Sequence, residues 1–328
     1  MKQVIVIFAV LALSVGLLTS MVSAEPKHVA VIVKATDSDF WQYALIGANN
    51  YAVEYADAVR ITKHGATSES EVEDQVAILE DVIASGPDAI VLAPINADAL
   101  SPGTERAMEM GIPVITIDSR LRTEDYTSLL ATDNVQGGKL AAENMVAFLN
   151  AAGIPLKGKV GIVAAVEGVS TIIERDGGFI EKMKEIAPDI EVLEPRYVQN
   201  DILKSLAVAE DLITAHGDEL IGIYPDNNHT GDGVARAIIE QGLEEKIVVV
   251  AFDSDPEEIE ALRSGSIKAL VVQDPFKMGY MGVDYALKAL AGEEIPKFVD
   301  TGVGVVTKEN MDQEDIKSFL DPTLKEKK

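Results

Sequence analysis

The stretch His28-Val-Ala-Val-Ile-Val-Lys-Ala-Thr-Asp-Ser-Asp-Phe-Trp41 decides the fold. Its apolar run has the length and continuity of a strand buried on both faces, and it ends in a short polar loop and two adjacent aromatics before a helical pattern starts. Downstream, strands expected at about 58–63, 89–93 and 113–117 alternate with helices at about 40–56, 68–85 and 98–110, the pattern of a parallel sheet covered on both faces. A second round begins after Asp133-Asn134, with strands near 159–164, 190–195, 219–224 and 247–251. The expected fold class is therefore α/β, two doubly wound parallel-sheet lobes. The halves even echo one another: Val114-Ile-Thr-Ile-Asp-Ser119 resembles Val249-Val-Ala-Phe-Asp-Ser254. Asp118 and Asp253 then fall just past strand carboxyl ends, where open α/β sheets bind ligands.

The 328 residues and 47% hydrophobic content are enough for two domains with real cores. A formal net charge of -26, from 28 basic and 54 acidic residues, excludes nucleic acid as a partner. Residues 1–24 have the basic start, apolar middle and small-residue end of a secretory signal peptide, with cleavage expected after Ala24. With no cysteine there is no thiol for a lipid, a disulfide or a thiolate metal site, so the expectation is a free soluble protein in the periplasm.

No Gly-x-Gly-x-x-Gly follows the first strand, and the chain has no phosphate loop, no His-Glu-x-x-His and no Gly-x-Ser-x-Gly elbow. Its four histidines, at 28, 64, 216 and 229, show no ligand spacing. No cofactor or metal is expected, and no enzymatic activity. What the chain does carry suits a polar ligand. Phe40 and Trp41 offer aromatic faces to the apolar side of a sugar ring. Asp118, Asp253 and Arg175 can make charge-assisted hydrogen bonds to hydroxyls, and Asn227 and Gln273 add amides that both donate and accept. The same residues also suit plain structural roles: helix caps for the aspartates, a surface ion pair for Arg175, a turn for Asn227.

Taken in order, Asp37-Ser-Asp-Phe-Trp41, Gly111-Ile-Pro-Val-Ile-Thr-Ile-Asp118, Thr132-Asp-Asn-Val-Gln-Gly-Gly138, Glu174-Arg-Asp-Gly-Gly-Phe179, Asp226-Asn227, Val250-Ala-Phe-Asp253 and Val271-Val-Gln-Asp-Pro275 resemble the type I periplasmic sugar-binding proteins of the ribose/galactose class. The resemblance covers essentially the whole mature chain. It implies two lobes joined by a three-strand hinge, with crossings near Thr132-Asp133, Gln273-Asp274 and Thr301-Gly302. The implied first lobe is 26–132 plus 274–301 and the second is 133–273 plus 302–321, leaving 322–328 as a solvated tail. The implied ligand residues are Asp39, Phe40, Trp41, Asp118, Ser119, Arg175, Asn200, Asn227, Asp253 and Gln273.

Departures from the ribose pattern bear on the ligand. A ribose binder has arginine directly after the aspartate that Asp118 matches, whereas this chain has Ser119 and then Arg120. It has Ala93-Pro94 where an asparagine would end the third strand, and Asn200 roughly where a phenylalanine would cover the sugar. A hexose, another pentose, a polyol or a furanose all stay open. The implied role is a monomeric receptor that delivers a small sugar or polyol to the membrane permease of an ABC importer; the alternative partner is a sensor kinase or chemoreceptor.

Overall fold

The computed structural model describes residues 25–327, so the expected signal segment lies outside the described residues. Strands run β1 (Lys27–Ala35), β2 (Val59–Ala66), β3 (Ala89–Leu92), β4 (Val114–Ile117), β5 (Ser128–Ala131), β6 (Gly158–Ala164) and β7 (Ile190–Val192). They continue with β8 (Arg196–Tyr197), β9 (Leu220–Pro225), β10 (Val248–Phe252), β11 (Ala269–Gln273), β12 (Phe298–Asp300) and β13 (Val303–Thr307). The helices of the first half are α1 (Asp39–Glu54), α2 (Val72–Ser85), α3 (Ala97–Glu109), α4 (Asn134–Ala151) and α5 (Ser170–Ile186). Those of the second are α6 (Ile202–His216), α7 (Asn228–Gln241), α8 (Pro256–Ser264), α9 (Pro275–Leu290) and α10 (Glu314–Leu320).

The strands form two sheets. One has the order β12-β5-β4-β3-β1-β2 and is parallel throughout. The other runs β13-β11-β10-β9-β6-β7, with β13 antiparallel to β11 at its edge. Each sheet has a separate buried cluster on either face, which is why its strands read as unbroken apolar runs rather than as alternating ones. The chain passes from one sheet to the other between β5 and α4, between β11 and α9, and between β12 and β13.

After the second crossing, α9 packs back on α1 of the first lobe at very short range. A Cβ placed on Gly279 would lie 1.9 Å from the Ala44 carbonyl oxygen, and one on Gly47 would lie 2.0 Å from that of Phe276. Glycine is therefore a steric requirement at both positions, since any side chain would drive the helices apart. That contact fixes α1, and with it the aromatics at its start.

Three features differ from the sequence expectation. β5 is an additional strand, only four residues long and opened by a serine, too short to show a period. α10 forms beyond the last expected strand and buries Leu320. The tail is tethered through its backbone, although Thr323, Leu324, Glu326 and Lys327 stay exposed as expected of a solvated segment. Asn50, 2% exposed in the middle of α1, donates to the Lys325 carbonyl at 2.7 Å and accepts from the Lys327 backbone N–H at 2.8 Å. A buried amide needs both partners, and the terminal segment supplies them.

Candidate functional site

Two aspartates face each other from equivalent places in the two sheets. Asp118 follows β4 and Asp253 follows β10, and both adopt the left-handed backbone region, with φ of 65° and 80°. That conformation is uncommon for a residue with a side chain, and it clusters at binding sites. Here it turns each carboxylate away from its own strand and into the space between the lobes.

Each carboxylate meets one buried cation. Lys34, at the end of β1 and 2% exposed, places Nζ 2.8 Å from Asp118 Oδ2, and the Ser119 hydroxyl donates to the same oxygen at 2.7 Å. Arg175, on the first turns of α5, lies 3.7 Å from Asp253 Oδ2 with its guanidinium 3.9 Å from the centroid of the Phe252 ring. The arginine is held from behind: Nε donates to Asn134 Oδ1 at 2.9 Å and Nη1 to the Asp226 carbonyl at 2.8 Å. The guanidinium so held forms part of the cavity wall. Gln273, 1% exposed, donates to Asp253 at 2.7 Å while its carbonyl oxygen has no protein partner. An unpartnered buried acceptor beside a cavity calls for a hydroxyl.

The structure brings Phe40, Trp41, Asp118, Arg175, Asn227, Asp253 and Gln273 around one cavity. Asn227 does two jobs, since its side-chain oxygen also accepts from the Thr230 backbone at 3.0 Å and caps α7. Three other expected residues stand off the cavity wall. Ser119 supports Asp118 from behind, Asn200 accepts from the Asn227 amide at 2.6 Å, and Asp39 faces a separate groove. Conversely, Lys34, Glu69, Thr171, Ile172 and Asn228 line the cavity without having been singled out from the sequence. Asn228 sits beside Asn227, and adjacency alone gave no way to choose between the two amides.

The lobes are drawn together. Asn228 Nδ2 lies 3.5 Å from the Ser38 hydroxyl, and Arg120 reaches across to Ser170 at 3.3 Å and to Glu174 at 3.2 Å. About 20 Å³ of space is left at the centre, room for about one water, so a ligand enters only when the lobes part. A larger groove of about 770 Å³ runs along the flank, with Asp37 and Asp39 on one side and Asp232, Asp255, Glu257 and Glu260 on the other. Its volume is greater, but it is more open than the central cavity, and acidic residues outnumber Arg236 and His229 along it.

Burial opposes ionisation of Asp118, yet Lys34 and Arg175, with hydrogen bonds from Lys34 and Ser119, hold its carboxyl below the ordinary range. Asp253 goes the other way: burial pushes it up to about 6, against the pull of Arg175 and Gln273. Behind Arg175, burial also pushes Asp176 up to about 7, and neither of its oxygens has a hydrogen-bond partner. Carboxyls raised on folding bind protons more tightly folded than unfolded. Their stabilisation is present below the unfolded value near 4 and is lost as pH rises through about 6 for Asp253 and about 7 for Asp176. Asp118 contributes the opposite slope only below the ordinary aspartate value. The ligand-free protein should therefore melt at a higher temperature near pH 5 than near pH 8, as followed by circular dichroism. A melting point that climbed over that interval would mean that His28 and His64, whose pKa values burial lowers and which favour the high-pH side, outweigh these carboxyls.

Residues 29–294 match the family described as the periplasmic binding protein domain. The D-ribose/D-allose-binding protein of Pseudomonas aeruginosa is 28% identical over 293 residues, covering 86% of this chain and 89% of that protein. Among solved structures, a carbohydrate transporter solute-binding protein from Agrobacterium radiobacter in complex with D-arabinose superposes with a TM-score of 0.87 at 35% identity, covering 90% of this chain and 99% of its own. An ABC transporter solute-binding protein from Agrobacterium vitis with bound D-fucose gives 0.83 at 38% identity, covering 89% and 99%.

Proposed function

The chain belongs to the periplasmic binding protein family, and from that premise we propose that it captures a small neutral sugar in the interlobe cavity and presents the closed form to an ABC-type importer. One observation carries the choice of a neutral ligand: each cation in the cavity is matched by a carboxylate, Lys34 by Asp118 and Arg175 by Asp253. A sugar acid or phosphate would find no unpaired positive charge, and Glu69 on the wall would repel it. Hydroxyls, which donate and accept, satisfy both members of each pair. D-arabinose and D-fucose, the ligands of the two structural neighbours, are neutral aldoses without a 6-hydroxyl, and a tight cavity favours such compact rings. Export by residues 1–24 belongs to the same proposal, and a mature chain beginning at Glu25 is its mass-spectrometric signature.

Binding shifts the lobes from open to closed, and the ligand stabilises the fold by mass action. At 100 times the dissociation constant the gain is about 2.7 kcal/mol, a shift of several degrees in melting temperature. A thermal-shift panel of D-arabinose, D-fucose, D-ribose and D-galacturonate should show stabilisation by at least one neutral aldose and none by the acid. Stabilisation by the uronate, or by none of the aldoses, would sink the proposal.

A further inference from the structure

The only tryptophan of the chain has one polar atom, the indole N–H, and it donates to Glu69 Oε1 at 2.6 Å. Glu69 lies in the turn between β2 and α2, and that turn is built rather than loose. The Glu71 carboxylate accepts from the backbone N–H groups of Thr67 at 2.8 Å and Ser68 at 3.2 Å, closing the segment around Glu69. Gln75, fully buried one turn into α2, donates to the Val33 and Ala93 carbonyls and accepts from the Ile95 N–H, which ties the start of the helix to the ends of β1 and β3. The carboxylate is thereby held at a fixed place on the cavity wall, and the indole is its single side-chain partner among the described residues. Trp41 itself is pinned on its other sides, edge-on to Phe40 at 4.8 Å between ring centroids and with Lys34 Nζ 5.4 Å from its own centroid.

We propose that Glu69 is a specificity-determining residue of the sugar site, fixing the plane of Trp41 with Oε1 and accepting a ligand hydroxyl with Oε2. This rests on the sugar-binding proposal above and extends it to a loop to which no ligand role is assigned. The geometry favours a ligand contact over a purely structural one because the carboxylate lies on the wall of the same cavity as Asp118 and Asp253. A neutral acceptor would suffice to hold an indole N–H. A carboxylate there adds a charge-assisted bond to whatever hydroxyl it meets.

Trp41 makes the test direct, since all tryptophan emission comes from it. In the ligand-free protein, Glu69→Ala should shift the emission maximum or intensity of Trp41, while Glu69→Gln, which still offers a carbonyl to the indole, should keep the wild-type spectrum. By calorimetry with D-arabinose, D-fucose and D-ribose, Glu69→Gln should weaken the sugars the wild type binds by about 10-fold, and by unequal factors, as the loss of one charged hydrogen bond dictates. Wild-type affinities in Glu69→Gln for every sugar would overturn the proposal, as would a wild-type emission spectrum in Glu69→Ala. If the wild type bound none of the three sugars, the sugar-binding proposal would be at fault, and the ligand-free spectra would still decide the tie between Glu69 and Trp41.

Discussion

Replacing Arg175 with alanine should lower sugar affinity by at least about 100-fold and destabilise the fold by about 3–5 kcal/mol, the usual cost of breaking a buried ion pair. Both effects follow from one arrangement. Arg175 is 3% exposed, and its Nε and Nη1 are spent on Asn134 and the Asp226 carbonyl. Those bonds fix the plane of the guanidinium on the cavity wall, where a planar fork suits sugar hydroxyls. The same cation faces Asp253 and lowers the cost of ionising Asp176 and Asp226, so its removal leaves several buried carboxyls without an opposite charge. Arg175→Lys separates the two effects. A lysine keeps the charge but loses the fork, so stability in urea should largely recover while calorimetric affinity should not. Wild-type affinity in Arg175→Lys would mean that charge alone, and not planar hydrogen bonding, recognises the ligand.

Arg175 was legible in the sequence through its planar hydrogen-bonding fork and through the stretch Glu174-Arg-Asp-Gly-Gly-Phe179 that carries the family resemblance; the packing purpose of its glycines appears only in the structure. Gly178 lets α5 approach α4 so closely that an added Cβ would lie 2.3 Å from the Val135 carbonyl. Asp118 and Asp253 were legible for a different reason, the position of a polar residue immediately past an apolar strand. The two sheets were legible too, since short apolar runs rich in Val and Ile, set between amphipathic helices, mark strands buried on both faces. What stayed hidden depends on contacts between distant segments. Glu69 lies in a run with Glu71, Glu73 and Asp74 and reads as one more solvated charge until the fold places Trp41 against it. The docking of the tail needs Asn50, a polar residue inside a helix whose neighbours give no hint that it is buried. β5 is too short for periodicity, and its place is set by pairing with β4 and β12 rather than by its own composition.

Lys34 is the sharpest case, and replacing it with methionine should cost about 3–5 kcal/mol of stability near pH 8. A lysine at the end of a strand ordinarily points to water, but this one is buried with Asp118, both side chains 3% exposed and 2.8 Å apart. Methionine fills similar volume without the charge, so packing is nearly conserved and the loss reports on electrostatics. The pH dependence identifies the mechanism. In the wild type the Asp118 carboxyl is held below its ordinary value, so its contribution is complete at neutral pH and is lost only in acid. Without Lys34, burial dominates and the carboxyl moves up, so its contribution is lost as pH rises and part of the deficit near pH 8 should be recovered near pH 5. Neutralising the partner should do the same at any pH: Asp118→Asn in the Lys34→Met background should be more stable than Lys34→Met alone, because a buried pair costs little to remove whole and much to remove by half. Sugar affinity should fall in the double variant even so, since the cavity would have lost both charges that strengthen its hydrogen bonds to hydroxyls. Urea denaturation of wild type, Lys34→Met, Asp118→Asn and the double variant at the two pH values completes the cycle. A Lys34→Met protein within about 1 kcal/mol of wild type at both pH values would show that Asp118 is held by solvent and Arg175 rather than by Lys34, and that the first lobe presents a single carboxylate to the sugar instead of an ion pair.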